Sequence, residues 1–203
     1  MNVYSSGAGP VSVFVVPGGP GLPVSFYREL VEGLEAFATV HVVAPTGTSP
    51  DPPEPFPETI ADAATEVREA IAKHRDGKPV ALLGHSYGGA VVIELLCQAG
   101  GPPIAGAVVV SGFPSGAFLE RCVGTRAAAL PREFHVAVAA AAGDATAQWE
   151  AMSRYWFPTH FCRSEWPASF QEALPRINEA YMNRVLGPSI FTPTGTLRSW
   201  DRE

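Results

Sequence analysis

The stretch Val80-Ala81-Leu82-Leu83-Gly84-His85-Ser86-Tyr87-Gly88-Gly89-Ala90 decides the fold. Apolar residues of strand length, Val80 to Leu83, run into Gly84-His85-Ser86-Tyr87-Gly88, and a nearly all-apolar segment, Ala90 to Gln98, leaves it with the pattern of a buried helix. Strand, Gly-x-Ser-x-Gly turn and helix in that order make a nucleophile elbow with Ser86 at its apex. So sharp a turn brings backbone too close for side chains at Gly84 and Gly88, and it holds the serine in a strained conformation. By itself the five-residue pattern is weak, and a Gly-rich βα turn with a bystander serine would read alike. The flanking elements and the further glycine, Gly89, favour the elbow.

Outward from the elbow, strands alternate with helices. Val11 to Val16 is β-branched and aromatic, bounded by Gly9-Pro10 and Pro17-Gly18-Gly19-Pro20-Gly21, as expected of a buried strand entering a tight loop. It reads as the first strand. Ser25 can cap the next helix, whose Phe26, Leu30, Val31 and Leu34 fall at helical spacing, and Thr39 to Val43 gives a second strand. Between Ala44 and Pro57 six prolines remove donors and fix φ, which predicts an irregular excursion. A helix resumes near Thr59 with Ile60, Ala64, Val67 and Ile71 on its buried face, and Gly77 ends it. After the elbow helix, stopped by Gly100-Gly101-Pro102, Ala107 to Val110 gives a fourth strand. Such alternation predicts a parallel sheet covered by helices on both faces. Beyond Gly112 the strand pattern stops, and Arg132 to Ala142, Ala145 to Tyr155 and Ser169 to Val185 read as helices. The organisation expected is therefore a core over residues 1–114, a helical cap over 115–193 and a return toward the core over 194–203.

Composition excludes several functions. The net charge of −6, with 14 Lys and Arg scattered along the chain, offers no basic block to neutralise phosphates, so nucleic acid is not an expected partner. No stretch approaches the roughly 18 apolar residues of a membrane span, and no basic residue precedes the short apolar run at Val11, so neither a membrane nor a signal peptide is indicated. Three cysteines, Cys97, Cys122 and Cys162, form no CxxC, which suggests neither a disulfide framework nor a metal site and suits a reducing, cytoplasmic setting. No cofactor is implied. Gly18, Gly19 and Gly21 lack the GxGxxG spacing of a dinucleotide loop.

A serine hydroxyl attacks well only when a base takes its proton and the developing oxyanion is stabilised. One oxyanion donor is expected from the N–H of the residue after the nucleophile, Tyr87, and the other from the loop after the first strand, with Gly19 the candidate. A turn that uses glycine and proline for geometry alone is the competing explanation of that loop.

At three places the chain resembles the proline iminopeptidase family of α/β-hydrolases, including the tricorn-interacting aminopeptidases. Val16-Pro17-Gly18-Gly19-Pro20-Gly21 resembles the family's HGGPG, and Gly84 to Gly89 its GxSxGG. Met182-Asn183-Arg184-Val185-Leu186-Gly187-Pro188-Ser189-Ile190-Phe191 with Gly195-Thr196-Leu197-Arg198-Ser199-Trp200-Asp201 resembles the end of its cap. The resemblance implies an α/β-hydrolase fold with a cap insertion, and a cofactor-free serine peptidase that cleaves N-terminal residues from short peptides through an acyl-enzyme. Pro17 stands where the family has His, Ala44 to Ser49 replaces its Asp-Gln-Arg-Gly loop, and Ile190 stands where a glutamate would hold the substrate amine. Glu179, one helical face upstream, is a substitute for that anchor or an ordinary solvated glutamate.

In this fold the acid and then the base follow the serine, each after a later strand. Asp144 and His160 satisfy that order, but both lie within the expected cap, and His85 should point away from the serine beside it. The resemblance would place acid and base beyond Asp201, and the opening hairpin and the last strands have no sequence to make them, so an incomplete chain is expected. Three functions stay open: an aminopeptidase, an esterase or amidase of the same fold acting on a small peptide or ester, and an inactive chain that binds a ligand.

Overall fold

The computed structural model describes residues 1–48, 56–141, 144–160 and 165–203. Five strands, β1 (Asn2–Ser6), β2 (Ser12–Val16), β3 (Thr39–Ala44), β4 (Val80–His85) and β5 (Ile104–Val110), form one sheet in the order β1-β3-β2-β4-β5. The last four run parallel, and β1 lies antiparallel along β3, with Val3 opposite Val43 and Ser5 opposite His41. In the central strand β2 the side chains alternate between faces. Phe14 and Val16 pack with α2 (Ile60–His74) and α3 (Tyr87–Cys97), whereas Val15 packs on the opposite side with Leu22, Tyr27 and the half-buried face of α1 (Arg28–Leu34). Burial of both faces is why β2 and β3 lack polar alternation.

The start of α2 is set by a capping box, in which Thr59 Oγ1 accepts from the Asp62 N–H and Asp62 accepts from the Thr59 N–H. Ile60, Ala64, Val67 and Ile71 are all buried, as their spacing predicts. Helix α3 carries Glu94, a charged residue only 1% exposed, and the C-terminal segment supplies its partners. Trp200 Nε1 donates to it at 2.8 Å and Arg202 Nε at 2.8 Å. Beside them, Ser115 and Asp201 form an isolated bridge.

Past β5 the described chain is helical: α4 (Gly116–Ala128), α5 (Arg132–Ala140), α6 (Ala145–Ala151), a π-type turn at Met152–Trp156, α7 (Phe157–His160), α8 (Ala168–Ala173) and α9 (Glu179–Leu186). Val123, Ala127, Leu130, Phe134, Trp156 and Phe157 make an apolar cluster of their own. By contrast, Tyr181, Val185, Leu186 and Leu197 join the cluster around the elbow.

Several expectations need correction. The sheet begins at Asn2, nine residues ahead of the expected Val11, and so it has an antiparallel edge strand where none was expected. Asn2 to Ser6 is only half-buried at best and shows no apolar alternation; it is a strand because β3 offers it a backbone ladder, which composition does not reveal. Ser25 caps nothing: Pro23 precedes a 3₁₀ turn, Val24–Tyr27, and Ser25 Oγ is buried without a partner. The expected helix Ser169–Val185 is two helices parted at Leu174-Pro175-Arg176, because proline cannot donate within a helix. Helix α4, which lies in the helical region expected beyond Gly112 but has no separate apolar stripe to mark it, starts where Ser115 Oγ accepts the Phe118 N–H at 2.9 Å. Most of the proline-rich excursion, residues 49–55, and Cys162 lie outside the described residues. Among the described residues no helix is long and apolar enough to cross a membrane.

Candidate active site

Ser86 stands between β4 and α3 with φ 52° and ψ −118°, in the region non-glycine residues avoid. Its N–H donates to the Val110 carbonyl at 2.8 Å, and its own carbonyl accepts from the Gly89 N–H at 2.9 Å, so the turn is anchored on both sides. The glycines around it are demanded by space. A Cβ on Gly84 would lie 2.5 Å from the Gly88 carbonyl oxygen, and one on Gly88 would lie 2.1 Å from that of Val16. The elbow is therefore wedged against the end of β2, which brings the Gly18-Gly19 loop beside the serine.

Gly18 leaves no room for a side chain either, since a Cβ there would be 3.2 Å from that of Ser86. Its N–H is taken by the Tyr27 hydroxyl at 2.6 Å. The next residue, Gly19, has φ +110°, and among the described residues no acceptor takes its N–H. Neither does any take the N–H of Tyr87, which sits in the first turn of α3, where helix N–H groups lack intrahelical partners. Two N–H groups without a described acceptor thus lie on the residues the sequence singles out: Tyr87, next to Ser86 in the chain, and Gly19, next to the Gly18 that packs on Ser86.

The Tyr87 side chain points into the core, with its hydroxyl 3.1 Å from that of Tyr181 in α9. Burial raises the pKa of both phenols, so both are neutral. Helix α9 also walls a cleft of about 1670 Å³ that reaches from Gly19 to the helices after β5. Trp149, Trp166 and Phe191 contribute much of its apolar lining; Glu165 and Glu179 add carboxylates, and Ile190 lies among them.

No described side chain hydrogen-bonds the Ser86 hydroxyl. His85 is engaged elsewhere: its ring stacks on Phe26 at 5.6 Å, and its Nδ1 lies 2.9 Å from the Tyr27 hydroxyl, within hydrogen-bond distance. Desolvation lowers its pKa and keeps it neutral. His41 is buried against Phe14 in β3, His74 ends α2, and His135 is exposed on α5. Asp144 caps α6 through the Ala147 N–H, and His160 stacks on Trp156 at 3.9 Å, so these two are joined to other groups and do not form a pair. Among the described residues, no group of three His, Cys, Asp or Glu side chains could hold a metal ion.

Three residues that build the site escaped sequence reasoning. Tyr27, Asn178 and Tyr181 act through hydroxyl and amide contacts to chain 58, 131 and 94 residues away, and no local pattern marks them.

Residues 13–202 match the family model described as the alpha/beta hydrolase family. The chain is 29% identical over 191 residues to a proline iminopeptidase of Thermoplasma volcanium, a match covering 91% of this chain and 64% of that protein. It therefore spans about two thirds of that relative's length. A shorter match, 36% identical over 71 residues (35% of this chain and 28% of the relative), is to the medium-chain S-acyl fatty acid synthase thioesterase of Anas platyrhynchos. The crystal structure of a proline iminopeptidase from Mycobacterium smegmatis superposes with a TM-score of 0.76 at 20% identity, covering 98% of this chain and 71% of that one. With its five-stranded sheet, its strained serine between β4 and α3 and a family match over nearly its whole length, the chain belongs to the alpha/beta hydrolase family.

Proposed function

We propose that Ser86 is the nucleophile of a serine hydrolase of the proline iminopeptidase type, removing N-terminal residues from short peptides through an acyl-enzyme. The observation that carries this is the strained Ser86, with N–H groups free of any described acceptor on the adjacent Tyr87 and on Gly19 of the loop that packs against it. In the proposed mechanism the Ser86 oxygen, giving its proton to a general base, adds to the scissile carbonyl, and the oxygen of the tetrahedral intermediate accepts from those two N–H groups. Collapse expels the amine as it takes that proton from the base, and water, deprotonated by the same base, then hydrolyses the ester and frees Ser86. Residues 115–193 act as the cap that closes over the cleft. Neither the general base nor its acid partner is assigned to a described residue. The amine-binding role falls to the cleft carboxylates, Glu179 first, because Ile190 cannot pair an ammonium.

The second reading is an esterase or thioesterase. It is favoured by Ile190 and the aromatic lining of the cleft, and by the similarity to the Anas platyrhynchos thioesterase. A serine-directed fluorophosphonate should label wild-type protein, and Ser86→Ala should abolish labelling. Matched aminoacyl amides and simple acyl esters then separate the readings: on the peptidase reading, Glu179→Gln raises KM for substrates with a free amine and leaves esters lacking one unchanged. Labelling no faster in wild type than in Ser86→Ala would sink both readings and leave a ligand-binding chain.

A further inference from the structure

We propose that Asn178 and Tyr181 are positioning residues that hold the two oxyanion donors, so that the seating of α9 sets the reactivity of Ser86. This rests on the assignment of Gly19 and Tyr87 as donors. The two residues lie three apart at the start of α9 and so on one side of it. The backbone N–H of Asn178 donates to the Gly21 carbonyl at 3.1 Å, two residues beyond Gly19. The approach is close: a Cβ on Gly21 would lie 2.9 Å from the Asn178 carbonyl oxygen and 3.0 Å from its Cβ. With its side chain Asn178 does two further things. Nδ2 donates to the Gly47 carbonyl at 2.9 Å, tying in the loop after β3, and Oδ1 accepts the Tyr181 N–H at 3.1 Å, capping α9.

Tyr181, completely buried, grips the other donor residue through the hydroxyl contact to Tyr87. Its ring also faces the Gly47 loop, where a Cβ on Gly47 would meet it at 3.0 Å. One helix turn therefore holds the loop of Gly19, the side chain of Tyr87 and the loop at Gly47. An oxyanion donor works only where its N–H meets the developing charge at hydrogen-bond distance, so slack in these ties reaches the chemistry without touching a substrate.

The test uses the full chain and three variants. Tyr181→Phe keeps the packing and deletes one hydroxyl. Asn178→Ala deletes both side-chain bonds. Asn178→Ser keeps a cap acceptor but cannot reach Gly47, which covers the case in which the alanine variant does not fold. Fluorophosphonate labelling is resolved into its limiting rate and its half-saturating concentration. The limiting rate is expected to fall about tenfold in each variant with half-saturation within twofold of wild type. Amide exchange at Leu22 and at residue 178, whose N–H groups donate to Gly18 and Gly21, should quicken in the Asn178 variants by more than the loss of global stability accounts for. Limiting rates within twofold of wild type would overturn the proposal. If wild type labels no faster than Ser86→Ala, the nucleophile assignment itself has failed; exchange then decides the positional claim, and unchanged protection at Leu22 and residue 178 overturns it.

Discussion

Tyr27 and His85 are joined by a hydrogen bond of 2.9 Å between the phenol oxygen and Nδ1, and the same phenol oxygen accepts the Gly18 N–H at 2.6 Å. The histidine next to Ser86 is thereby committed to the loop after β2.

Because desolvation lowers the His85 pKa, its neutral form is favoured in the folded state. The unfolded chain then binds more protons between the lowered value and the ordinary 6.5, so stability rises with pH across that window and is flat above it. His41 contributes with the same sign, so His85→Gln should reduce the slope without abolishing it. Tyr27→Phe leaves the Gly18 N–H buried without its acceptor and should cost about 1–3 kcal/mol. Urea unfolding from pH 5 to pH 8 checks both, and an unchanged slope in His85→Gln would refute the first.

Two glycine substitutions should act in opposite directions. Gly88→Ala drives a methyl to 2.1 Å from the Val16 carbonyl oxygen, backbone that cannot move aside, and should destabilise by more than about 3 kcal/mol or prevent folding. Gly33→Ala in α1 meets nothing within 4 Å and should stabilise by about 0.5–1 kcal/mol through helix propensity. Melting temperatures of the two purified variants provide the comparison.

Hydrogen bonds from Arg202, Trp200 and Gln98 pull the Glu94 carboxyl down to about 2, against the desolvation that would raise it. A lowered folded-state pKa means that this stabilisation is fully present above the ordinary 4.5 and is lost as pH falls from there through about 2. Glu94→Gln should cost about 2 kcal/mol at neutral pH, since it weakens charge-assisted bonds to Arg202 and Trp200. It should also flatten the acid limb. Denaturant midpoints at pH 7 and pH 3 measure both effects, and equal losses at the two pH values would contradict the assignment.

Among the described residues no strand pairs with the outer edge of β5, where Val108 is 56% exposed and Val110 43%. An exposed apolar strand edge promotes association, so Val108→Lys should lower concentration-dependent light scattering while leaving the melting temperature within about 2 °C. Scattering as strong as that of wild type would show that β5 is not the sticky surface.

The elbow was legible because most of its signals are local. Val80 to Leu83 has the composition of a strand, Ala90 to Leu95 that of a buried helix, and Gly84 answers contacts within the turn, whereas Gly88 is crowded by the Val16 carbonyl of β2. The capping box at Thr59 and the buried face of α2 were legible for the same reason. β1 was not, because a half-exposed edge strand has no apolar alternation and exists through its ladder to β3. The break at Pro175 interrupts an otherwise continuous helical spacing, and its local signal is the proline itself.

Ser86, Gly19 and Tyr87 were named from local pattern, and the approach of the Gly18-Gly19 loop to Ser86 follows from the pairing of β2 with β4, which sets Val16 opposite Gly84. What holds them there is tertiary. Tyr27, Asn178, Tyr181 and the Glu94–Arg202 pair are contacts between segments 58 to 131 residues apart, and a side chain's partner at that separation depends on how whole elements pack. The sequence by itself determined the βαβ core and the strained serine, since hydrophobic period and the backbone limits of a tight turn act over a few residues. Only the tertiary structure decided that the first turn of α9 would grip the Gly19 loop and Tyr87 together, because that turn reaches them only once the helices after β5 have folded back onto the sheet.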